Sequence, residues 1–265
     1  MKKTFWITLI TLLIVILGMY SHYIEPNKLN IVNYTIEDAA LSGLKIVFAS
    51  DFHVRDMERL DKVVKLINEE NPDFVLSVGD FVEGHKFNHA AVAIEDIAKK
   101  LTEINSKYGF YTSFGNHETW YSKERAINAL TAENIVVLLN NNTYIDINGK
   151  KVYIAGIEDE LTEHPDITAA LEGTENPVIL LTHSPDVFPD VPESVNLTLA
   201  GHTHGGQIRI PLLGPIYTAS KYYDKYAQGL IVENNKKMIV TRGVGYSILP
   251  FRFNCPPEIV VIEFK

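Results

Sequence analysis

At 265 residues, with 46% hydrophobic and 22% charged side chains, the chain has the composition of a globular protein able to bury a sizeable core. Its 24 basic and 33 acidic side chains give a formal charge of −9, which repels a phosphate backbone and argues against nucleic-acid binding, nucleases included. Cys255 is the only cysteine, so an intramolecular disulfide and a thiolate metal cluster are excluded; the residue itself reads as a small apolar filler.

Residues 5–20 (FWITLITLLIVILGMY) carry no charge and follow Lys2 and Lys3. The run is short for a span but suits a bilayer. A cleaved secretory signal is the rival reading. No Ala-x-Ala pattern stands near residues 18–22, which favours a retained transmembrane anchor over residues 1–20. Lysines ahead of the run put the amino terminus in the cytosol and the body outside. Residues 21–28, with Pro26 among them, read as a polar tether, and residues 29–265 as one domain without internal repeats.

Within that domain, apolar β-rich runs recur at residues 44–49, 74–78, 110–114, 152–155, 178–181 and 195–199. Most are too apolar to alternate, as expected of strands covered on both faces. Met57, Leu60, Val63, Val64 and Ile67 are spaced as one helix face, and Ile94, Ile97, Leu101 and Ile104 as another. Strand, helix, strand over about thirty residues is a βαβ unit, so the first half predicts a parallel sheet. The second half holds more strands than helices, with turn signals at Asn148-Gly149 and Asn234-Asn235. It predicts a second, mixed sheet packed on the first.

Five polar blocks follow predicted strands: Ser50-Asp51-Phe52-His53, Gly79-Asp80, Gly115-Asn116-His117-Glu118, Thr182-His183-Ser184 and Gly201-His202-Thr203-His204. Ligands of open α/β sheets bind outside the carboxyl ends of strands, so the blocks should converge. If the strands persist, period two sets Asp51 and His53 on one side, and likewise His202 and His204, each pair able to grip a metal. Asp80 offers two oxygens for bridging, Asn116 a carbonyl oxygen and His183 an imidazole. Carboxylate, carboxamide and imidazole without thiolate point to Mn, Zn or Fe. A lone histidine is more often a satisfied core residue. Here five of nine histidines fall in the blocks, and Gly201 and Gly205-Gly206 leave backbone room beside the last.

In this order, the blocks resemble those of the calcineurin-like metallophosphoesterases, over about residues 44–263. The stretch LAGHTHGGQIR at residues 199–209, with Thr241-Arg242-Gly243-Val244-Gly245 and Pro256-Pro257-Glu258, is similar to a bacterial membrane- or wall-associated subgroup. That subgroup includes phosphodiesterases and a lipid A precursor pyrophosphatase. The resemblance implies a four-layer α/β/β/α sandwich of two packed mixed sheets flanked by helices. It also implies two divalent metals, Asp51, His53, Asp80 and His204 holding one and Asp80, Asn116, His183 and His202 the other. His117 would bind none and act on the substrate phosphate as general acid or transition-state stabiliser, which makes His117 and Asp80 the catalytic pair. The implied activity is hydrolysis of phosphodiester or pyrophosphate bonds in a small or lipid-linked substrate. A UDP-2,3-diacylglucosamine pyrophosphatase is one alternative, although its nucleotide-linked substrate is made on the cytosolic side. A non-catalytic docking protein on the same fold is the other, disfavoured because every ligand position is filled. Oligomeric state is left open.

Arg209, Arg242 and Arg252 are candidates for substrate phosphate, against the plainer reading of surface salt bridges. His85 and His89 read as a solvated helix start, and His22 and His164 as surface residues. Residues 210–226 and 247–251 are apolar loops, either packing elements or an amphipathic rim that admits a lipid tail or faces the membrane.

Overall fold

In the computed structural model, which describes residues 2–84 and 89–265, the predicted strands form the middle of two six-stranded sheets. The first runs in the order β1 (Asn30–Ile36), β14 (Glu258–Phe264), β2 (Lys45–Phe48), β3 (Phe74–Ser77), β4 (Phe110–Thr112), β5 (Val136–Val137). Strands β2 to β5 are parallel, as the βαβ pattern predicts, and β1 is parallel to β14. β14 pairs antiparallel with β2, bringing the carboxyl-terminal strand into the sheet's interior.

The second sheet runs β12 (Gly229–Glu233), β13 (Lys236–Val240), β9 (Leu197–Ala200), β8 (Val178–Leu181), β7 (Lys150–Gly156), β6 (Asn141–Ile147). Its four central strands are parallel and its outer two close antiparallel hairpins at the predicted Asn148-Gly149 and Asn234-Asn235 turns. A short hairpin, β10 (Arg209–Ile210) with β11 (Gly214–Pro215), stands apart.

Alternate residues of each central strand face different layers. In β2, Val47 turns to the helices α2 (Met57–Glu70), α3 (Ile94–Leu101) and α4 (Asn116–Ala132), while Ile46 and Phe48 turn to the second sheet. Both faces are therefore apolar and the sequence does not alternate. Leu60, Val63, Val64 and Ile67 are the buried stripe of α2, and Ile94, Ile97 and Leu101 that of α3. Asp56 caps α2 by accepting the Arg59 N–H. The outer face of the second sheet is covered by α5 (Ile167–Ala170), a 3-10 turn at Pro185–Asp190, and Tyr226. Helices, two mixed sheets and this outer cover make up the four layers.

Helix α1 (Lys2–Met19) buries none of its residues. Residues 21–28, read from the sequence as a polar tether, are structured and packed on the body. Residues Tyr20–Asn27 stay helical, as a π turn and then a 3-10 turn, and bury Ser21, Glu25 and Pro26 against the body. The reason is polar: Ser21 and Glu25 find backbone partners at Arg252 and Cys255. His22, expected at the surface, is likewise engaged, its Nδ1 lying 3.1 Å from the Pro250 carbonyl oxygen.

Candidate metal centre

The five polar blocks do converge, at the carboxyl ends of β2, β3, β4, β8 and β9. They do so by a different local geometry from the one strand periodicity suggests. β2 ends at Phe48 and β9 at Ala200, before the ligand residues. Asp51, His53, Asp80, His202 and His204 all have positive φ, from 40° to 69°. Left-handed backbone at five non-glycine residues costs on the order of 1 kcal/mol or more each, and is held by the packing around it.

Left-handed turns also separate the two histidines of Gly201-His202-Thr203-His204. His204 Nε2 faces His53 Nε2 at 3.0 Å, whereas His202 Nδ1 faces His183 Nε2 at 3.1 Å. The donors fall into an Asp51–His53–His204 group and an Asp80–His183–His202 group, with His53, Asp80 and His117 forming a third set between them, the ligand atoms of each set within 4.8 Å of one another. Asp80 Oδ2 lies between the groups, 3.4 Å from His53 Nε2, 3.3 Å from His183 Nε2 and 4.0 Å from His117 Nε2. One carboxylate oxygen thus reaches three imidazoles from three different blocks.

Backbone contacts aim these side chains. His183 Nδ1 sits 2.8 Å from the Val78 carbonyl oxygen, to which it donates, leaving the Nε2 lone pair turned inward. Asp51 Oδ1 accepts the His202 N–H at 2.8 Å, and Asp80 Oδ1 accepts the His117 N–H at 3.1 Å. Glycines permit the close approach: a Cβ on Gly115 would stand 2.2 Å from Asp80 Oδ1, and one on Gly201 2.3 Å from Asp51 Oδ2. Gly205, by contrast, makes room for protein, since a Cβ there would meet Cys255 Sγ at 2.7 Å.

The donors fit divalent cations. Asp51 Oδ2 and Asn116 Oδ1 are buried without a hydrogen-bond partner, although buried polar atoms are nearly always paired. Burial first, then neighbouring positive charge, holds His53 and His204 well below the usual imidazole range and lowers His202 to about 3, so their lone pairs are available. Burial pushes Asp51 up to about 7. Burial alone would lower His183, but the charge and hydrogen bond of Asp80 outweigh it and raise it to about 10, while Asp80 is held well below the carboxylate range. All the donors are oxygen or imidazole nitrogen, a set suited to divalent metal ions.

Asn116 and His117 open α4 and line a cleft of about 550 Å³ with Asp80, His202 and His204. The rings of His53 and His117 are 4.4 Å apart. Glu118 is the residue whose role the sequence does not disclose. Its carboxylate accepts the N–H groups of Asp80 at 2.8 Å, Phe81 at 2.7 Å and Gly115 at 3.1 Å, tying the second block to the third. A glutamate three residues into a helix is a capping signal, which is how the block would have disclosed it. Trp120, also not singled out by sequence, forms part of the cleft wall.

The three arginines are corrected. Arg252 is fully buried, its guanidinium donating to the carbonyl oxygens of Gly245, Cys255 and Arg242, with Nη2 3.3 Å from His204 Nδ1. Arg242 is paired with Glu258, and Arg209 donates to Gly205 and Asp224. Arg252 is engaged inside the fold, where a buried guanidinium needs acceptors, whereas Arg242 and Arg209 form partly exposed ion pairs, the plainer reading of the two, and none of the three lines the cleft. His89 lies ahead of α3 and outside it, and its neighbour His85 falls outside the described residues.

Fold and site together define a metallophosphoesterase. Residues 44–206 match the pattern of the calcineurin-like phosphoesterases, the chain belongs to that family, and it is a metal-dependent phosphoester hydrolase. It is 33% identical to the uncharacterized metallophosphoesterase YkuE of Bacillus subtilis, across 93% of this chain and 89% of that one. Phosphodiesterase YaeI of Escherichia coli is 30% identical, across 92% and 91%. A transmembrane protein with metallophosphoesterase domain from Danio rerio is 28% identical across this whole chain and 63% of its own. Among solved structures, the NAD nucleotidase of Haemophilus influenzae shares the fold with a TM-score of 0.52 at 16% identity, over 77% of this chain and 45% of that longer one.

Proposed function

We propose that the protein is a membrane-anchored, dinuclear phosphodiesterase that cleaves phosphodiester or pyrophosphate bonds. The observation carrying this reading is Asp80 Oδ2, shared between two clusters of imidazoles at the floor of an open cleft. Asp51, His53, Asp80 and His204 would hold one divalent ion, and Asp80, Asn116, His183 and His202 the second. Bound there, two ions would lower the pKa of water from 15.7 towards about 7 and offset charge on the phosphoryl oxygens.

The chain's own residues supply orientation and a proton. His117, beside Asp80 at the cleft floor, donates a proton to the leaving oxygen. Water's oxygen joins phosphorus and gives up a proton to solvent, the bond to the leaving oxygen breaks, that oxygen departs with the proton from His117, and His117 is reprotonated from solvent. Asp80 keeps His117 near the phosphate, through the hydrogen bond from the His117 N–H. The name of the Escherichia coli relative supports the diester reading.

α1 is long and apolar enough to cross a bilayer, and Lys2 and Lys3 ahead of it favour a cytosolic amino terminus with the catalytic body on the other side. The test is hydrolysis of bis(p-nitrophenyl) phosphate and p-nitrophenyl phosphate by the full chain, stripped of metal and reloaded with Mn, Zn or Fe(II). Metal-dependent diester turnover is expected, with Asp80→Ala losing metal and His117→Ala keeping it while kcat falls about 10²–10⁴-fold. Full activity in His117→Ala would remove its acid role; no turnover with any metal would overturn the reading.

A further inference from the structure

The motifs Thr241-Arg242-Gly243-Val244-Gly245 and Pro256-Pro257-Glu258 supply no metal ligand, yet the fold lays the first of them across one. The Val244 N–H donates to the Ser50 carbonyl at 3.0 Å and the Gly245 N–H to the Asp51 carbonyl at 2.8 Å. A Cβ on Gly243 would stand 2.6 Å from Asp51 Cβ, so the loop needs glycine there to lie this close. Glu258 anchors it from behind, accepting the Arg242 N–H at 3.0 Å and pairing with the Arg242 guanidinium.

Arg252 joins that loop to the other side of the same ligand group. Its Nε and Nη2 donate to the Gly245 carbonyl at 3.0 and 2.6 Å, Nη2 also to the Arg242 carbonyl at 2.7 Å, and Nη1 to the Cys255 carbonyl at 2.9 Å. Both hydrogens of Nη2 are thereby taken by oxygens. The remaining contact, 3.3 Å to His204 Nδ1, sets the guanidinium edge against the back of the His204 ring. The other ring nitrogen, Nε2, faces Asp51 Oδ1 at 3.6 Å and His53 Nε2 at 3.0 Å. Metal-bound imidazoles usually have a carbonyl or carboxylate behind them, as His183 has Val78. His204 has instead a guanidinium whose own place is fixed by three carbonyls. As mere filler a buried cation is costly, since an apolar side chain would occupy the space without desolvating a charge.

We propose that Arg252 is a positioning residue for the first ion. Through Gly245 it fixes Asp51, and through the ring edge it fixes His204, at the separation that lets both ligate one cation. This rests on the two-ion assignment above and adds the residue on which one of the two sites depends. Among the described residues, the hydrogen bonds of the Arg252 guanidinium reach none of Asn116, His183 and His202, so the second ion is independent of it.

The experiment uses the full chain in phosphatidylcholine nanodiscs, stripped of metal and reloaded with Mn, with metal content read by mass spectrometry and spin coupling by electron paramagnetic resonance. The wild type should hold two ions with a coupled spectrum. Arg252→Lys keeps the charge but loses the planar fork that spans three carbonyls. It should bind the first ion about 10–100-fold more weakly, leaving about one Mn per chain with the uncoupled spectrum of an isolated ion. Adding His204→Ala to this variant should remove no further metal, whereas adding His183→Ala should remove the rest. Gly245→Ala, whose Cβ would meet the Phe52 carbonyl oxygen at 2.2 Å, breaks the same link from the Asp51 end and should also leave one ion; it decides the matter if Arg252→Lys does not fold. Two ions retained in the variants overturn the inference and leave the two-ion assignment standing. Loss of both ions together, or failure of both variants to fold, also overturns it, because Arg252 then serves the fold at large. A wild type that holds a single ion overturns the two-ion assignment and the positioning role with it.

Discussion

Ser21 and Arg252, 231 positions apart in sequence, are doubly hydrogen-bonded: the Arg252 N–H donates to the Ser21 carbonyl at 2.9 Å, and Ser21 Oγ donates to the Arg252 carbonyl at 2.9 Å. Arg252 in turn touches His204, and Cys255, whose N–H donates to the buried Glu25 carboxylate, places its Sγ 3.3 Å from the His204 carbonyl oxygen. The segment after the apolar helix is thus two contacts from a candidate metal ligand. Glu25→Ala leaves the buried Cys255 N–H without its acceptor, a cost of about 1–3 kcal/mol. We expect a Tm drop of several degrees and weaker metal retention, measured by calorimetry and elemental analysis; a chain beginning at residue 28 should behave the same. Wild-type Tm and metal content in both would show the contact to be incidental.

Glu118 should be more sensitive to charge than its distance from substrate suggests. Both of its oxygens accept backbone N–H groups, so Glu118→Gln sets an amide NH2 against a donor and releases the Asp80 backbone. One buried hydrogen bond lost at this level costs about 1–3 kcal/mol. The expected result is a lower Tm and a drop in kcat of about tenfold or more, on the scale of 1.4 kcal/mol per decade. An unaltered Tm in the glutamine variant would contradict this account.

Gly115 has φ of −101°, open to any residue, so its requirement is for space alone. An alanine Cβ there would overlap Asp80 Oδ1 and come within 2.5 Å of His183 Cε1. Gly115→Ala should lose metal from the Asp80–His183–His202 group, halving the metal content found by mass spectrometry. Gly149→Ala, with open space around it, should not. Full occupancy in Gly115→Ala would be the contrary outcome.

Metal uptake should be proton-linked. With Asp51 raised to about 7 and His183 to about 10 in the metal-free site, both carry protons over part or all of the neutral range. Ligation requires the deprotonated forms, so binding displaces protons and affinity strengthens as pH rises through about 7. Manganese titration calorimetry at pH 7 in buffers of different ionisation enthalpy should report at least about one proton released. Identical heats in all buffers would rule the linkage out.

Much of this protein is legible from residue order alone. Asp51, His53, Asp80, Asn116, His117, His183, His202 and His204 stand out because each follows an apolar run and because those residue types share one chemistry. The central strands and the stripes of α2 and α3 are legible for the same reason, since burial imposes a local period. Asp51 and His53 show where that logic stops: the strand ends before them, and left-handed turns, invisible to periodicity, do the aiming. Arg252 shows it again, a charged residue that reads as surface until its side chain is found fully buried. Glu118 lies in plain view within its block, yet its work depends on N–H groups 37 and 38 residues away.

The sequence by itself determined the ligand chemistry, the layered α/β architecture and an apolar amino-terminal helix, because each is written in residue type and short spacing. Tertiary structure decided which histidine faces which group, the insertion of β14 beside β2, and the docking of residues 21–25 behind His204. Those are contacts between segments up to 231 positions apart, fixed by packing and by the need to pair every buried polar group, and neither requirement leaves a local period in the chain.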